Sequence, residues 1–370
     1  MNEKSITIID PGLLSTVQDT GRHGYQKYGV PVSGAMDNFS LRAANLLVGN
    51  TTGSACIEMT IVGASIKFNY PAVISITGGN LSMKLDGAKI NNWCSIQVES
   101  GSVLKSDGAQ DGMRAYLAIK GGINVPVIMG SKSTYIPASF GGFKGRALIA
   151  GDTLLINNSD VEPIQEERNL PEGLQVVHYG HSHIVRVTLG PQHNKFTSEA
   201  IKTFFDSRYS VSSNCDRVGY RLTGPQLQHE SSADIISDGT QFGSIQVPSD
   251  GNPIILMADR GPTGGYAKIG TVISADLNLI AQSRPGDSIV FRQVSVKEAE
   301  SAFFEQETFL YSMNPKLFKN APEKVRTTLS KNRSSILPLI DNDTKNKPLT
   351  IATANIKGKI FNFEISIESN

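Results

Sequence analysis

Cysteine is scarce. The 370 residues hold only Cys56, Cys94 and Cys215, widely spaced and with no C-x-x-C pair. This excludes a disulfide framework or a zinc ribbon as the organising device. Long apolar runs are missing too. Stretches such as 254–258 fall far short of the roughly 20 residues that a bilayer span requires. Neither sign of charge prevails: 35 Lys plus Arg face 34 Asp plus Glu. That balance leaves no electrostatic footprint for nucleic acid or an anionic membrane. The opening MNEKSITIID lacks a charged segment followed by an apolar one, so no signal peptide is expected. These absences together point to a soluble chain in a reducing cytoplasm.

What is present is mostly strand-like. AVISITGG (72–79), NLSMKLDGAKI (80–90), SIQVES (95–100), RAYLAIKGG (114–122) and ALIAGDTLLI (147–156) are short apolar or alternating runs punctuated by Gly, Asp and Asn. HIVRVTLG, GSIQV, PIILMAD and DSIVFRQV follow the same style. Asp86-Gly87 predicts a type I′ hairpin. Many short strands with Gly-rich turns predict a mainly β chain of barrels or sandwiches.

Helix signals are few. Residues 37–48 put Leu41, Ala44 and Val48 on one stripe and stop at Gly49. Thr197 can cap a second helix near 197–206, with Phe196 and Ile201 as its hydrophobic staple. Ser295 and Glu298 make a capping box for a third, around 296–311.

AGDTLLI (150–156) and PGDSIVF (285–291) echo one another, each closing a β-rich stretch. The polar segment 157–173 between them reads as a linker. The expected organisation is a first β domain over 1–160 and a second over 174–295. The tail, 296–370, is expected to hold the helix, an irregular segment over 312–350 and a hairpin around Gly358.

Several motifs fail on inspection. In DRGPTGGYAKIG (259–270), Ala267 precedes Lys268 and Ile269 follows it, so this is no phosphate-binding Walker loop. No nucleotide site is expected in this chain. HYGHSH (178–183) places His181 and His183 on one strand face with His178 close by, but no Cys, Asp or Glu lies within the run. A polar strand edge is the simpler reading, and no metal is expected. SMKL (82–85) has the Met-Lys pair of a biotin attachment site without the sequence that flanks one.

Six stretches carry a resemblance. They are DPGLLSTVQDTGRHGYQKYGVPVSGAMDNFSLRAANLLVGN (10–50), ACIEMT (55–60), RVTLGPQ (186–192), SNCDRVGYRLTGP (213–225), SDGTQFGSIQVPSDGNPIILMADRGPTGGYAKIG (237–270) and RPGDSIVF (284–291). Together they resemble the biotin-dependent carboxyltransferase-domain family. It includes the C component of prokaryotic 5-oxoprolinase, the antagonist KipA, allophanate hydrolase subunit 2-like proteins and the carboxyltransferase half of urea carboxylase. The resemblance spans roughly residues 5–295 and implies two cyclophilin-like β-barrels. One departure stands out. Many relatives read D-x-Q-T-x-G-G-Y-P-K where this chain has Gly261-Pro262 and Ala267, while Thr263, Gly264, Gly265, Tyr266 and Lys268 match.

The resemblance also implies partners: a KipI-like B component and a lactam-opening A component. The function it implies first is the C component of an ATP-dependent 5-oxoprolinase, which converts 5-oxo-L-proline to L-glutamate and is inactive without its sister subunits. ATP would be used by the complex, with no cofactor bound by this chain. The alternatives are a urea carboxylase-like carboxyltransferase component served by biotin, or a KipA-like regulator that sequesters its partner.

An amide substrate needs donors for its carbonyl and acceptors for its N–H. On that basis Asp259 and Lys268 are the catalytic candidates. Thr263, Gly264, Gly265 and Tyr266 are expected to line the substrate, and Arg260 to bind a carboxylate or phosphate with its two-pronged fork. A tight barrel turn is the competing reading of the whole loop. Asp37 is read as a helix N-cap or a substrate contact, and Asn45 as a substrate contact or a bridge to a nearby loop. Arg217 and Tyr220, in CDRVGYRL, are read as substrate ligands or structural groups. Glu58 points opposite to Ile57 and Met59, as a pocket carboxylate or a surface one.

Overall fold

The structure is a computed structural model. It describes residues 3–157 and 178–313, together with the backbone of 350–356 and 359–365. The expected linker, beyond Asn157, and the expected irregular segment, apart from its ends, lie outside the described residues.

The chain is mainly β, with four α-helices among the described residues. Strands of the first half form two sheets. The seven-stranded sheet runs Ile123–Asn124, Thr153–Ile156, Ser5–Asp10, Ser65–Phe68, Val103–Ser106, Met83–Leu85 and Ala88–Lys89. The five-stranded sheet runs Leu14–Gln18, Cys56–Thr60, Asp111–Ile119, Ala72–Asn80 and Ser95–Val98. Alternate residues of both sheets, among them Ile6, Ile8, Ile57, Met59, Ile66, Phe68, Ile74, Ile76 and Leu117, meet in one apolar core. Asp86-Gly87 turns the predicted hairpin with both residues at positive φ, 50° and 85°.

The five-stranded sheet is covered on its other face as well. Helix α1 (Asn38–Val48) lays Leu41, Ala44 and Val48 against Cys56, Tyr116 and Ala118. A strand residue pointing away from the main core therefore still points into protein. This is the local reason that Glu58, 1% exposed, is buried.

Seven strands of the second half close into a barrel in the order Ser182–Leu189, Lys268–Val272, Ser244–Gln246, Ile254–Leu256, Gly219–Thr223, Arg208–Cys215 and Ser288–Gln293. Closure leaves no open edge in this sheet. Helix α2 (Ser198–Asp206) is capped by Thr197 as expected and stacks Phe204 on Phe291, ring centroids 4.5 Å apart. Helix α3 (Leu277–Gln282) has no counterpart among the sequence signals, since six residues carry little periodicity. Helix α4 (Val296–Ser312) has the full Ser295/Glu298 capping box and is tied to α1 through Arg42 and Glu307. The terminal strands Thr350–Ile356 and Lys359–Ile365 pair as the predicted hairpin.

The echo between the two halves extends to its hydrogen bonds. The N–H of Ile149 donates to Asp152 Oδ2 and the N–H of Asp152 to Ile149 O. The N–H of Arg284 likewise donates to Asp287 Oδ2 and that of Asp287 to Arg284 O. Gly151 bonds Ile8 as Gly286 bonds Val211, each at 2.8 Å. The same Gly-Asp turn thus launches the last strand of each half.

Asp152 also takes two hydrogen bonds from Arg146, which hold its carboxyl below the usual carboxylate range. A depressed folded-state pKa contributes stability above the ordinary value, and that contribution is lost as pH falls through the folded value. Asp152→Asn should therefore cost about 1–2 kcal/mol at neutral pH. It should also flatten the acid limb of the stability profile, measured by urea unfolding between pH 3 and 7.

Candidate active site

Charged and polar side chains from both halves converge on one seam. Arg217, just before the barrel strand Gly219–Thr223, is at its centre. Its Nε donates to Asp259 Oδ2 at 2.8 Å and its Nη2 to Asp259 Oδ1 at 3.1 Å. Its Nη1 binds Glu58 Oε1, and its Nη2 also reaches Gly34 O at 2.6 Å. Asp259 and Arg217 are further fixed by a main-chain bond, Asp259 N–H to Arg217 O at 2.8 Å. One guanidinium therefore joins a carboxylate of the first half to a carboxylate of the second. Burial alone would lower its pKa, but the combined attraction of Asp259 and Glu58 outweighs this and raises it above the ordinary value.

Glu58 is held from its other side. Its Oε2 accepts from Met36 N–H and from the Tyr116 hydroxyl, both at 2.8 Å. The Tyr116 oxygen in turn accepts from Asp37 N–H at 2.7 Å. Asp37 is the N-cap of α1, taking Ser40 N–H at 2.9 Å. It is more than a cap, since its Oδ2 also accepts from Gln282 Nε2 at 2.8 Å. Burial raises its pKa, against the pull of the bonds from Ser40 and Gln282.

Gln282 ends α3 and reaches into the first half. Its Oε1 accepts the N–H groups of Met113 and Arg114 at 2.9 and 2.8 Å, and its Nε2 donates to Arg114 O at 2.9 Å. These are groups that the strand Asp111–Ile119 leaves free where its pairing with Ala72–Asn80 slips between Asp111 and Ala115. Space for the amide comes from Gly79 and Gly112, where a Cβ would stand 3.0 and 2.8 Å from Gln282 Oε1. Arg114 completes the seam by donating to the Tyr220 hydroxyl and to Ala281 O.

The structure thus gathers Asp37, Glu58, Arg217, Tyr220 and Asp259 into one buried network. Asn45 is not part of it. Its amide donates to Leu41 O, Thr52 O and Ser54 O and accepts from Asn50, so it bridges to the neighbouring loop. Nor is DRGPTGGYAKIG a surface loop throughout, because Asp259, Arg260, Ala267 and Lys268 are all buried. Thr263–Tyr266 forms a ribbon with Asp234–Gly239, outside the barrel. Lys268 serves that ribbon: its Nζ lies 2.7 Å from Asp238 Oδ2 and 2.9 Å from Gly239 O. The two residues expected to carry chemistry, Asp259 and Lys268, sit in different networks.

His181 meets Asp287 at 2.7 Å and His183 lies 3.9 Å from the same carboxylate. Among the described residues no group of three or more His, Cys, Asp or Glu could hold a metal ion. A surface hollow of about 340 Å³, lined by Gln226, His229, Asp250 and their neighbours, shares no residue with the seam and presents no Lys or Arg.

Sequence reasoning missed Arg22, Arg114, Tyr116 and Gln282. Parity was available for two of them: Arg114 and Tyr116 alternate with the core residues Ala115 and Leu117. Arg22 is fully buried, its Nε and Nη2 on Ile128 O and Ser133 O and its guanidinium 4.7 Å from the Phe140 ring centroid. It lies close enough to feel the charge of Asp259.

Comparison with known proteins agrees with this architecture. The family described as carboxyltransferase domain, subdomain A and B, matches residues 28–293. The 5-oxoprolinase C subunit of Haemophilus influenzae is 35% identical over 305 residues, covering 82% of this chain and 96% of that protein. A urea amidolyase of Saccharomyces cerevisiae is 34% identical over 330 residues, covering 84% of this chain but 18% of that protein. The crystal structure of the Kluyveromyces lactis urea carboxylase superposes with a TM-score of 0.81 at 30% identity, over 95% of this chain and 32% of that one. The chain belongs to the carboxyltransferase-domain family.

The seam and the ribbon can each be tested by substitution. Arg217→Met strands two buried carboxylates and should destabilise the protein by about 3–5 kcal/mol. Adding Glu58→Gln and Asp259→Asn should recover part of that loss in denaturant melts. In the ribbon, a Cβ on Gly264 would stand 2.3 Å from Gln246 Nε2, whereas one on Gly265 would meet nothing closer than Ile235 O at 3.8 Å. Both glycines were expected to line the substrate, and a Cβ on Gly265 was expected to crowd a close approach, but only Gly264 is crowded. Gly264→Ala should cost about 1 kcal/mol and Gly265→Ala should be neutral or slightly stabilising.

Proposed function

We propose that the chain is the C-type subunit of an ATP-dependent 5-oxoprolinase, opening 5-oxo-L-proline to L-glutamate together with sister subunits. The observation that carries this reading is the match to a 5-oxoprolinase C subunit over 96% of that protein's length. The seam supplies suitable chemistry. Each oxygen of Asp259 accepts one bond from Arg217, and a carboxylate oxygen has room for a second. Asp259 can therefore accept the lactam N–H or take a proton from it. Arg217 and Glu58 act as positioning residues, holding that carboxylate to one rotamer. ATP is handled by the partners, a KipI-like component and a lactam-opening one, since the glycine-rich segment of this chain has no Walker spacing.

A second reading, the carboxyltransferase component of a urea carboxylase-like enzyme served by biotin, has its own support. The Kluyveromyces lactis structure superposes over 95% of this chain, past the end of the family match at residue 293. Both substrates place an N–H beside a carbonyl, so the seam accommodates either chemistry.

The reconstituted complex distinguishes the two readings. ATP-dependent release of glutamate from 5-oxoproline is expected with the sister subunits present and none from the purified chain. Full activity from the chain alone would end the shared-site reading, and carboxylation of urea by a carboxybiotin donor would favour the second. Asp259→Asn should lower turnover at least about 100-fold, as expected for loss of a positioned acid–base group. Wild-type turnover in that variant would remove Asp259 from the chemistry.

A further inference from the structure

Four arginines wholly or partly withdrawn from water have an acid beside them. Arg217 has Glu58 and Asp259, Arg42 has Glu307, Arg186 has Asp276 and Arg146 has Asp152. Arg22 and Arg114 make no ion pair among the described residues, and each leaves one buried nitrogen without a partner there, but each has two oxygen acceptors and feels a carboxylate, Asp19 and Glu58 respectively.

Arg260 has neither. It is 7% exposed, and its one acceptor among the described residues is Met257 O, 3.2 Å from Nη1. Its Nε is buried with no partner among the described residues. The guanidinium carbon rests 5.6 Å from the centroid of the Phe242 ring. The adjacent carboxylate, Asp259, is turned toward Arg217. Burial, with no acid among the described residues to oppose it, brings the Arg260 pKa down to about 10.

An uncompensated buried cation is costly, and so is a buried donor without an acceptor. The surroundings nonetheless hold this one firmly. Phe242 and Met257 O support the side chain, and Thr240 fixes the following backbone by donating to Gly261 O and, through its N–H, to Pro262 O. One ligand type would supply both the missing charge and the missing acceptor: a planar or tetrahedral oxyanion taken by the guanidinium fork. We propose that Arg260 is the binding residue for an oxyanion, carboxylate or phosphate, seated beside the Phe242 ring at the root of the Thr263–Tyr266 ribbon. The site stands on this chain's own residues. Only the identity of its occupant rests on the function proposed above: 5-oxoproline carries a carboxylate and urea does not.

The test is calorimetric titration of the full chain with 5-oxo-L-proline, with 2-pyrrolidinone, which is the same lactam without its carboxylate, and with inorganic phosphate. The wild type should bind at least one of the two oxyanions about tenfold or more tightly than 2-pyrrolidinone, the gain of one charge-assisted hydrogen bond. Arg260→Met should abolish that preference, and Arg260→Lys, which keeps charge but loses the fork, should reduce it. Unliganded Arg260→Met should melt no lower than the wild type, because it removes an uncompensated charge and leaves an apolar chain on the Phe242 shelf.

Preference for 5-oxoproline assigns the oxyanion to the substrate, and preference for phosphate assigns it to the nucleotide-driven step. An absence of preference in the wild type, or wild-type binding in both variants, overturns the proposal. Should Arg260→Met fail to fold, the wild-type preference and Arg260→Lys still decide. An inactive reconstituted enzyme with oxyanion binding intact at Arg260 would sink the oxoprolinase reading and leave this site standing.

Discussion

The ion triad of Glu58, Arg217 and Asp259 is the constraint on which the rest of the seam depends. A guanidinium removed from water needs its charge answered and its donors filled. Here the answering groups come from opposite halves of the molecule, so neither half can leave without stranding a charge. Glu58 has one oxygen on Arg217 and the other on Met36 and Tyr116. Its position on the covered face of a strand fixes where the second half must sit. Asp259 inherits its orientation from that arrangement.

Gln282 repeats the principle with a neutral group. A slip in strand pairing frees two N–H groups and one carbonyl, and an amide from the other half has the donor and acceptor to satisfy all three. Its second amide hydrogen reaches Asp37, which caps the helix covering Glu58. The orientation of Asp259 and the docking of the two halves therefore share one continuous hydrogen-bonded network. Perturbing the network at any point would move both, which is why stability and turnover have to be read on the same variants.

The glycine-rich segment 259–270 divides its labour. Asp259 faces the seam, Arg260 faces Phe242, Thr263–Tyr266 builds the ribbon, and Lys268 anchors that ribbon by holding Asp238 and Gly239. Residues adjacent in sequence thus serve separate structures. The extended backbone alternates direction at each step, and Gly264 lets it pass close to Gln246 and Thr240.

Local interactions were legible in the sequence because their partners lie within a few residues. The caps at Asp37, Thr197 and Ser295, the Asp86-Gly87 hairpin and the twin Gly-Asp turns all follow from short-range hydrogen bonding and backbone preference. The mainly β character followed from apolar alternation. Parity in ACIEMT correctly separated Glu58 from Ile57 and Met59, but it could not say whether the far face met solvent or protein. That was decided by α1 and by the second half. Asn45 shows the converse: its place on an apolar stripe suggested a ligand, and the loop at 50–54 takes its amide instead. Arg217 finds Glu58 across 159 residues, and Gln282 finds Arg114 across 168. Separations of that kind leave no periodic or motif signal. Secondary structure was settled by neighbours along the chain, while the seam was settled only when folding brought its unpaired charges and free peptide groups into reach.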